Sequence, residues 1–209
     1  MRALAVLGGL LLAAALGASV PAVAQTVATQ HIRGQITAAD DSSITVKTRA
    51  GATVRLALAS DVSVSSLTKA GFSDLKAGAY IGSAAVPIRP APRTFDMKTP
   101  TLTALEVQIF PESMRGVGEG QRKWDLTPDS TMTSGTVLDV EGRVLSIRFR
   151  GNDRDVHVPP QAPIVKVGPG DRGLLKPGAH VFAVAQPGAN GSLTALRVSV
   201  GMGGLVPPM

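Results

Sequence analysis

Apolar residues recur at every second position over much of this chain, and the recurrence falls in two blocks. In the first, Ile44/Val46, Val54/Leu56/Leu58 and Leu105/Val107/Ile109 alternate with mostly polar residues; in the second, Leu145/Ile147/Phe149, Val156/Val158 and Leu196/Val198/Val200 do so. Successive strand side chains point to opposite sides, so each run buries one face and wets the other, as in antiparallel sheets. Turn-forming residues punctuate the runs at Asp40-Asp41-Ser42, Ala50-Gly51, Glu141-Gly142 and Gly151-Asn152-Asp153. The pattern predicts five strands per block. They fall at 31–39, 43–49, 53–64, 79–86 and 101–110, then at 134–141, 143–150, 154–166, 180–186 and 192–200.

The blocks also match residue for residue. Leu75-Lys76-Ala77-Gly78-Ala79-Tyr80-Ile81 returns as Leu175-Lys176-Pro177-Gly178-Ala179-His180-Val181, 175 − 75 = 100 positions on. Arg33-Gly34-Gln35-Ile36 matches Ser134-Gly135-Thr136-Val137, and Leu102-Thr103-Ala104-Leu105-Glu106-Val107 matches Leu193-Thr194-Ala195-Leu196-Arg197-Val198. Several blocks matched in one order predict an internal duplication. Five strands with a longer link after the third have the rhythm of an OB-type barrel. The expected fold is therefore all-β, two tandem five-stranded OB-like small barrels, with an SH3-like barrel or open sandwich as alternatives. The expected boundaries are a first barrel over 25–110, a Gly/Trp linker over 111–133, a second barrel over 134–201 and a flexible tail over 202–209.

Residues 1–24 read as a signal peptide. Arg2 gives a positive start, an apolar stretch follows from Ala3 to about Leu16, and Ala22-Val23-Ala24 supplies the small-x-small pattern of signal peptidase. Cleavage before Gln25 leaves 209 − 24 = 185 residues, in the periplasm or secreted. The alternative is a retained anchor, against which Gly8, Gly9, Gly17, Ser19 and Pro21 weigh as helix-weakening residues. No second apolar stretch is long enough to span a bilayer as a helix, so no integral helical span is expected after cleavage.

Composition narrows the chemistry. The absence of cysteine excludes disulfides, thiolate metal sites and a cysteine nucleophile. The formal charge of +6 becomes +5 once Arg2 leaves, with scattered basic residues that favour an anionic envelope component or an envelope protein as partner. One Trp, one Tyr and five Phe give few stacking platforms, and together with export this argues against nucleic acid.

The unit Gly135-Thr136-Val137 with Leu175-Lys176-Pro177-Gly178 resembles an uncharacterised family of exported bacterial tandem repeat domains; the first copy departs to Gly34-Gln35-Ile36 and Ala77. Met114-Arg115-Gly116-Val117-Gly118-Glu119-Gly120 with Trp124-Asp125-Leu126 is similar to members that carry the genome label "metal ABC transporter permease". A permease needs several membrane helices, so that label is not expected to hold literally. The resemblance implies an OB-like repeat fold and carries no catalytic residues.

Two constellations carry candidate chemistry. Asp153, Asp155 and His157 share one face of a strand by period-two spacing, and His180 is expected to join from a neighbouring strand, giving a divalent-metal ligand set. The plainer reading is the solvated face of a hairpin. The linker gathers Arg115, Glu119, Arg122, Lys123, Trp124 and Asp125, a partner-binding segment with an aromatic anchor, or a plug in which Trp124 fills the gap between barrels. Gly116, Gly118 and Gly120 lack the spacing of a dinucleotide fingerprint, and no Gly-x-Ser-x-Gly elbow is present. The leading expectation is a non-enzymatic periplasmic binding or scaffold protein without a cofactor. The alternatives are a metal-binding accessory of a transporter and an enzyme of unrecognised type.

Overall fold

The computed structural model describes residues 28–89 and 101–209, and those residues are all-β. Twelve strands run in chain order: β1 (Gln30–Ala39), β2 (Ser43–Thr48), β3 (Thr53–Ala70), β4 (Tyr80–Pro87), β5 (Leu102–Ile109), β6 (Gly120–Lys123), β7 (Thr131–Glu141), β8 (Val144–Phe149), β9 (Asn152–His157), β10 (Ile164–Pro169), β11 (His180–Pro187) and β12 (Leu193–Gly201). The apolar alternation sets these boundaries: Ile44, Val46, Leu56, Leu145, Ile147 and Val156 are all fully buried. The segment 1–24, expected as a signal peptide, and residues 90–100 lie outside the described residues.

Two five-stranded barrels result, and each takes strands from both halves of the chain. The first runs β1–β2–β3–β12–β11 and closes where β11 pairs with β1; its only parallel pair is β3–β12. The second runs β7–β8–β9–β5–β4 and closes where β4 pairs with β7, its parallel pair being β5–β9. The two cores follow suit: Ile36, Leu56, Val181 and Val198 pack in one, Ile81, Val107, Val137 and Ile147 in the other. This differs from the expectation of one barrel per contiguous stretch, 25–110 and 134–201.

The long third strand carries out the exchange. The first residues of β3 pair with β2, whereas Ser65–Ala70 pair antiparallel with β10; Ser65–Leu67 still pair with β12 on their other edge, and Thr68–Ala70 run on beyond the first barrel. Beyond each crossing strand the chain makes a short 3-10 turn, Phe72–Asp74 or Arg172–Leu174, and enters the other barrel. There the repeated Leu-Lys-x-Gly segment has a physical task. Leu75 is buried in the second core and Leu175 in the first. Gly78 and Gly178 then take φ of +85° and +90°, and their N–H groups donate to the carbonyls of Val137 and Ile36. A left-handed backbone of this kind costs a side-chain-bearing residue roughly 1–2 kcal/mol. Gly34 and Gly135 are required for closeness: a Cβ would lie 2.2 Å from the carbonyl oxygen of Lys47 and 2.3 Å from that of Arg148. Bulges fall at corresponding points, at Ile36/Ala38 and Val137/Asp139, and at Ala84/Ala85 and Val184/Ala185.

Three details depart from the sequence pattern. The segment expected as one strand at 154–166 is two, because Pro159, Pro160 and Pro163 supply no N–H for a ladder. The linker contains β6, paired with β7. The tail is packed rather than loose: Met209 is 2% exposed, and Arg33 and Arg49 donate to the carbonyls of Met209 and Pro207. Among the described residues no helix is long and apolar enough to cross a membrane.

Candidate functional site

The seam between the barrels holds a third apolar cluster. Leu67 and Val167 from the crossing strands join Val165, Phe182 and Met209, with Phe110, Met114, Trp124, Val184 and Leu205 packed around them. The packing is incomplete and leaves a cavity of about 360 Å³. Phe110, Met132, Trp124, Phe182 and Val184 contribute apolar wall, and Gln108, Ser65, Ser199, Arg122 and Arg197 contribute polar groups. A mostly apolar concavity with a few convergent polar groups is the usual form of a small-ligand site.

Trp124 is fixed in this seam from several sides. Strand β6 pairs with β7 just before it, and its N–H donates to the Ser130 carbonyl at 2.8 Å. Its neighbour Asp125 accepts two hydrogen bonds from Arg33, at 2.9 and 2.6 Å, and lies 2.9 Å from His31 Nδ1. Arg33 holds the Asp125 carboxyl well below the usual carboxylate range, with His31 adding to the effect. The indole packs 4.5 Å from the His31 ring and 6.1 Å from Phe182, centroid to centroid. Its Nε1 is buried and has no hydrogen-bond partner. Tryptophan N–H groups usually find a partner when buried, and this donor lacks one among the described residues.

Two guanidinium groups border the same cavity. Arg122 donates to the Gly118 carbonyl at 2.9 Å and lies 5.7 Å from the Trp124 ring centroid. Burial, together with the like charge of Arg197, lowers the Arg122 pKa. The Arg197 guanidinium makes no hydrogen bond or ion pair among the described residues. Both arginines also line an adjoining open pocket of about 560 Å³, which Arg150 and Glu119 share.

Behind the cavity wall lies Glu106, which is fully buried. Gln108 donates to its Oε1 at 3.1 Å, and its Oε2 has no partner. Burial raises its pKa to about 7 against the opposing effects of Gln108, Arg33 and Arg49.

The linker residues singled out by sequence divide into two groups. Arg122, Lys123, Trp124 and Asp125 run together along β6 into the seam, with Lys123 exposed. Arg115 and Glu119 instead fasten the linker to the second barrel. Arg115 pairs with Glu112 and donates to the Gly78 carbonyl at 2.8 Å and to Thr136 Oγ1 at 3.0 Å. Glu119 accepts the Arg150 N–H at 2.9 Å.

The residues expected as metal ligands are arranged differently. Asp153 accepts two hydrogen bonds from Arg148, both at 2.9 Å, and Arg148 lowers its pKa. Asp155 accepts from Ser146 at 2.6 Å, and His157 lies opposite Val144. His180 does not join them: it lies on β11 of the first barrel, between β1 and β12, whereas β9 borders β8 and β5 in the second. Among the described residues no three His, Asp or Glu are grouped to hold a metal ion.

Sequence reasoning missed His31, Glu106, Gln108, Phe182 and Arg197 as seam residues. One signal was present: Glu106 and Arg197 occupy the single differing position of the Leu-Thr-Ala-Leu-x-Val segment. No family model, curated protein or solved structure matches the chain.

Proposed function

We propose that this chain is a non-enzymatic binding module of the bacterial cell envelope, exported by its N-terminal leader, whose site is the seam between two OB-type barrels. The carrying observation is the seam cavity itself, in which Trp124, Phe110 and Phe182 form apolar walls beside Arg122 and Arg197. The strand order of each barrel, first-second-third-fifth-fourth with a parallel third–fifth pair, supports the OB-type reading. Bulges at corresponding positions and the repeated Leu-Lys-x-Gly segment support descent of the two units from one duplicated ancestor. The leader pattern of residues 1–24 and its Ala22-Val23-Ala24 end support export. Binding suits the seam better than catalysis, because His31 is committed to Asp125 and no described hydroxyl hydrogen-bonds its other ring nitrogen.

Native mass spectrometry of the mature chain, purified gently from the periplasm, tests this reading. The expected result is a mass excess of one small molecule that is lost in Trp124→Ala while the β-sheet circular dichroism persists. A bare mass in both proteins would count against the seam as a ligand site.

A further inference from the structure

The seam cavity carries a charge that its apolar walls do not explain. Arg122 and Arg197 border it together, and the like charge of Arg197 raises the cost of charge on Arg122. Arg197 is without a counter-ion among the described residues, and Arg150 stands at the adjoining pocket. Against these three arginines the shared rim offers one carboxylate, Glu119, and one of its oxygens accepts the Arg150 N–H. Neighbouring guanidinium groups with too few acceptors form a site for an anion, which satisfies their donors and relieves their repulsion.

The remainder of the cavity defines the rest of the ligand. Phe110, Met132, Phe182 and Val184 present apolar surface, and Trp124 lines the same cavity. The Ser65 and Ser199 hydroxyls lie 3.0 Å apart on the same lining. The volume of about 360 Å³ lies near the small end of ligand pockets, ~300–1,000 Å³, and suits a compact molecule rather than a polymer segment. Resting on the reading of the seam as the binding site, we propose that it takes a small amphipathic anion. The acidic head lies between Arg122 and Arg197, and the apolar body lies against Trp124 and Phe182.

Trp124 is the only tryptophan of the chain, so its emission reports on the seam alone. The experiment titrates the full mature protein with sodium decanoate, with decanol and with sodium acetate. The expected result is a saturable emission change with decanoate, weaker by about tenfold or more with decanol and absent with acetate. Arg197→Gln, at an exposed position whose loss does not threaten the fold, weakens decanoate by about tenfold and leaves decanol unchanged. Added salt weakens decanoate and not decanol. Equal binding of decanoate and decanol, or an unaffected Arg197→Gln, overturns the anion while leaving the seam as a binding site. No saturable response to any of the three overturns both.

Discussion

Leu67 and Val167 lie directly opposite one another in the β3–β10 ladder, 167 − 67 = 100 positions apart in the chain. That interval is the one separating Leu75 from Leu175, so the crossing strands meet at equivalent points and send equivalent segments into opposite barrels. Both residues are buried, Leu67 completely. The pair therefore closes the fold at its crossing point and forms the floor of the apolar seam.

Because each barrel takes two strands from the other half, neither barrel can unfold alone. The whole mature chain should show a single urea transition, with circular dichroism and Trp124 emission coinciding. Leu67→Ala should shift that one transition by about 2–5 kcal/mol, the cost of emptying a buried leucine site. Two separable transitions would contradict the exchange.

A half-chain spanning 28–109 contains β1–β5 but not the β11–β12 pair that closes the first barrel. Two such chains could complete each other by reciprocal exchange, β4 and β5 of one closing on β1 and β3 of the other. Light scattering during size-exclusion chromatography should therefore give the mass of a dimer. A stable folded monomer would show that the crossing is not obligatory.

Glu106 couples the seam to pH. Its pKa rises on folding from 4.5 to about 7, so within that window the folded chain binds the proton that the unfolded chain has released. Stability accordingly falls as pH rises from about 4.5 to about 7, and levels off above it. The full effect is of order 3 kcal/mol, from a shift of 7 − 4.5 = 2.5 units. Glu106→Gln should flatten this dependence and raise stability above pH 7, read as urea midpoints at pH 5 and pH 8. A slope unchanged by the substitution would contradict the assignment.

Asp125 anchors the linker strap to the first barrel through Arg33 and His31. Its carboxylate is half-exposed, so Asp125→Ala should cost only about 1 kcal/mol. The larger consequence is positional: Trp124 loses its neighbour's clamp, and its emission should move to longer wavelength as water reaches the ring. Arg115→Ala, which frees the strap at its other end, should leave the emission where it is.

Much of the fold was legible in the sequence, and what was illegible has a physical cause. Period-two alternation located the barrel strands to within a few residues, because burying one face of a pleated strand leaves that imprint. It could not say which strands pair, since the β4–β5 and β11–β12 hairpins present equivalent faces and fit either barrel. The alternation ends at 64, six residues short of the end of β3, because Ser65, Ser66, Thr68 and Lys69 break it: this stretch pairs with β10 as it runs out of the barrel, and only Leu67 in it is buried. Met202-Gly203-Gly204 read as a loose tail, whereas the apolar Leu205 and Met209 beyond it dock into the seam. Trp124 was visible as a lone aromatic among charges. Glu106 and Arg197 were visible as one substitution within a repeat, but only the exchange places both at one seam.

The absence of cysteine allows the exchange to be tested by disulfide formation. Gln35 faces His180 across β1 and β11, and residues directly opposite on antiparallel strands have the Cα separation that a disulfide requires. Tyr80 occupies the position of His180 in the other half of the chain and pairs with Thr136 of β7. The measurement compares oxidation of the double variants Gln35→Cys/His180→Cys and Gln35→Cys/Tyr80→Cys. Rapid intramolecular closure is expected in the first and none in the second; closure between 35 and 80 would show contiguous barrels and remove the seam with them.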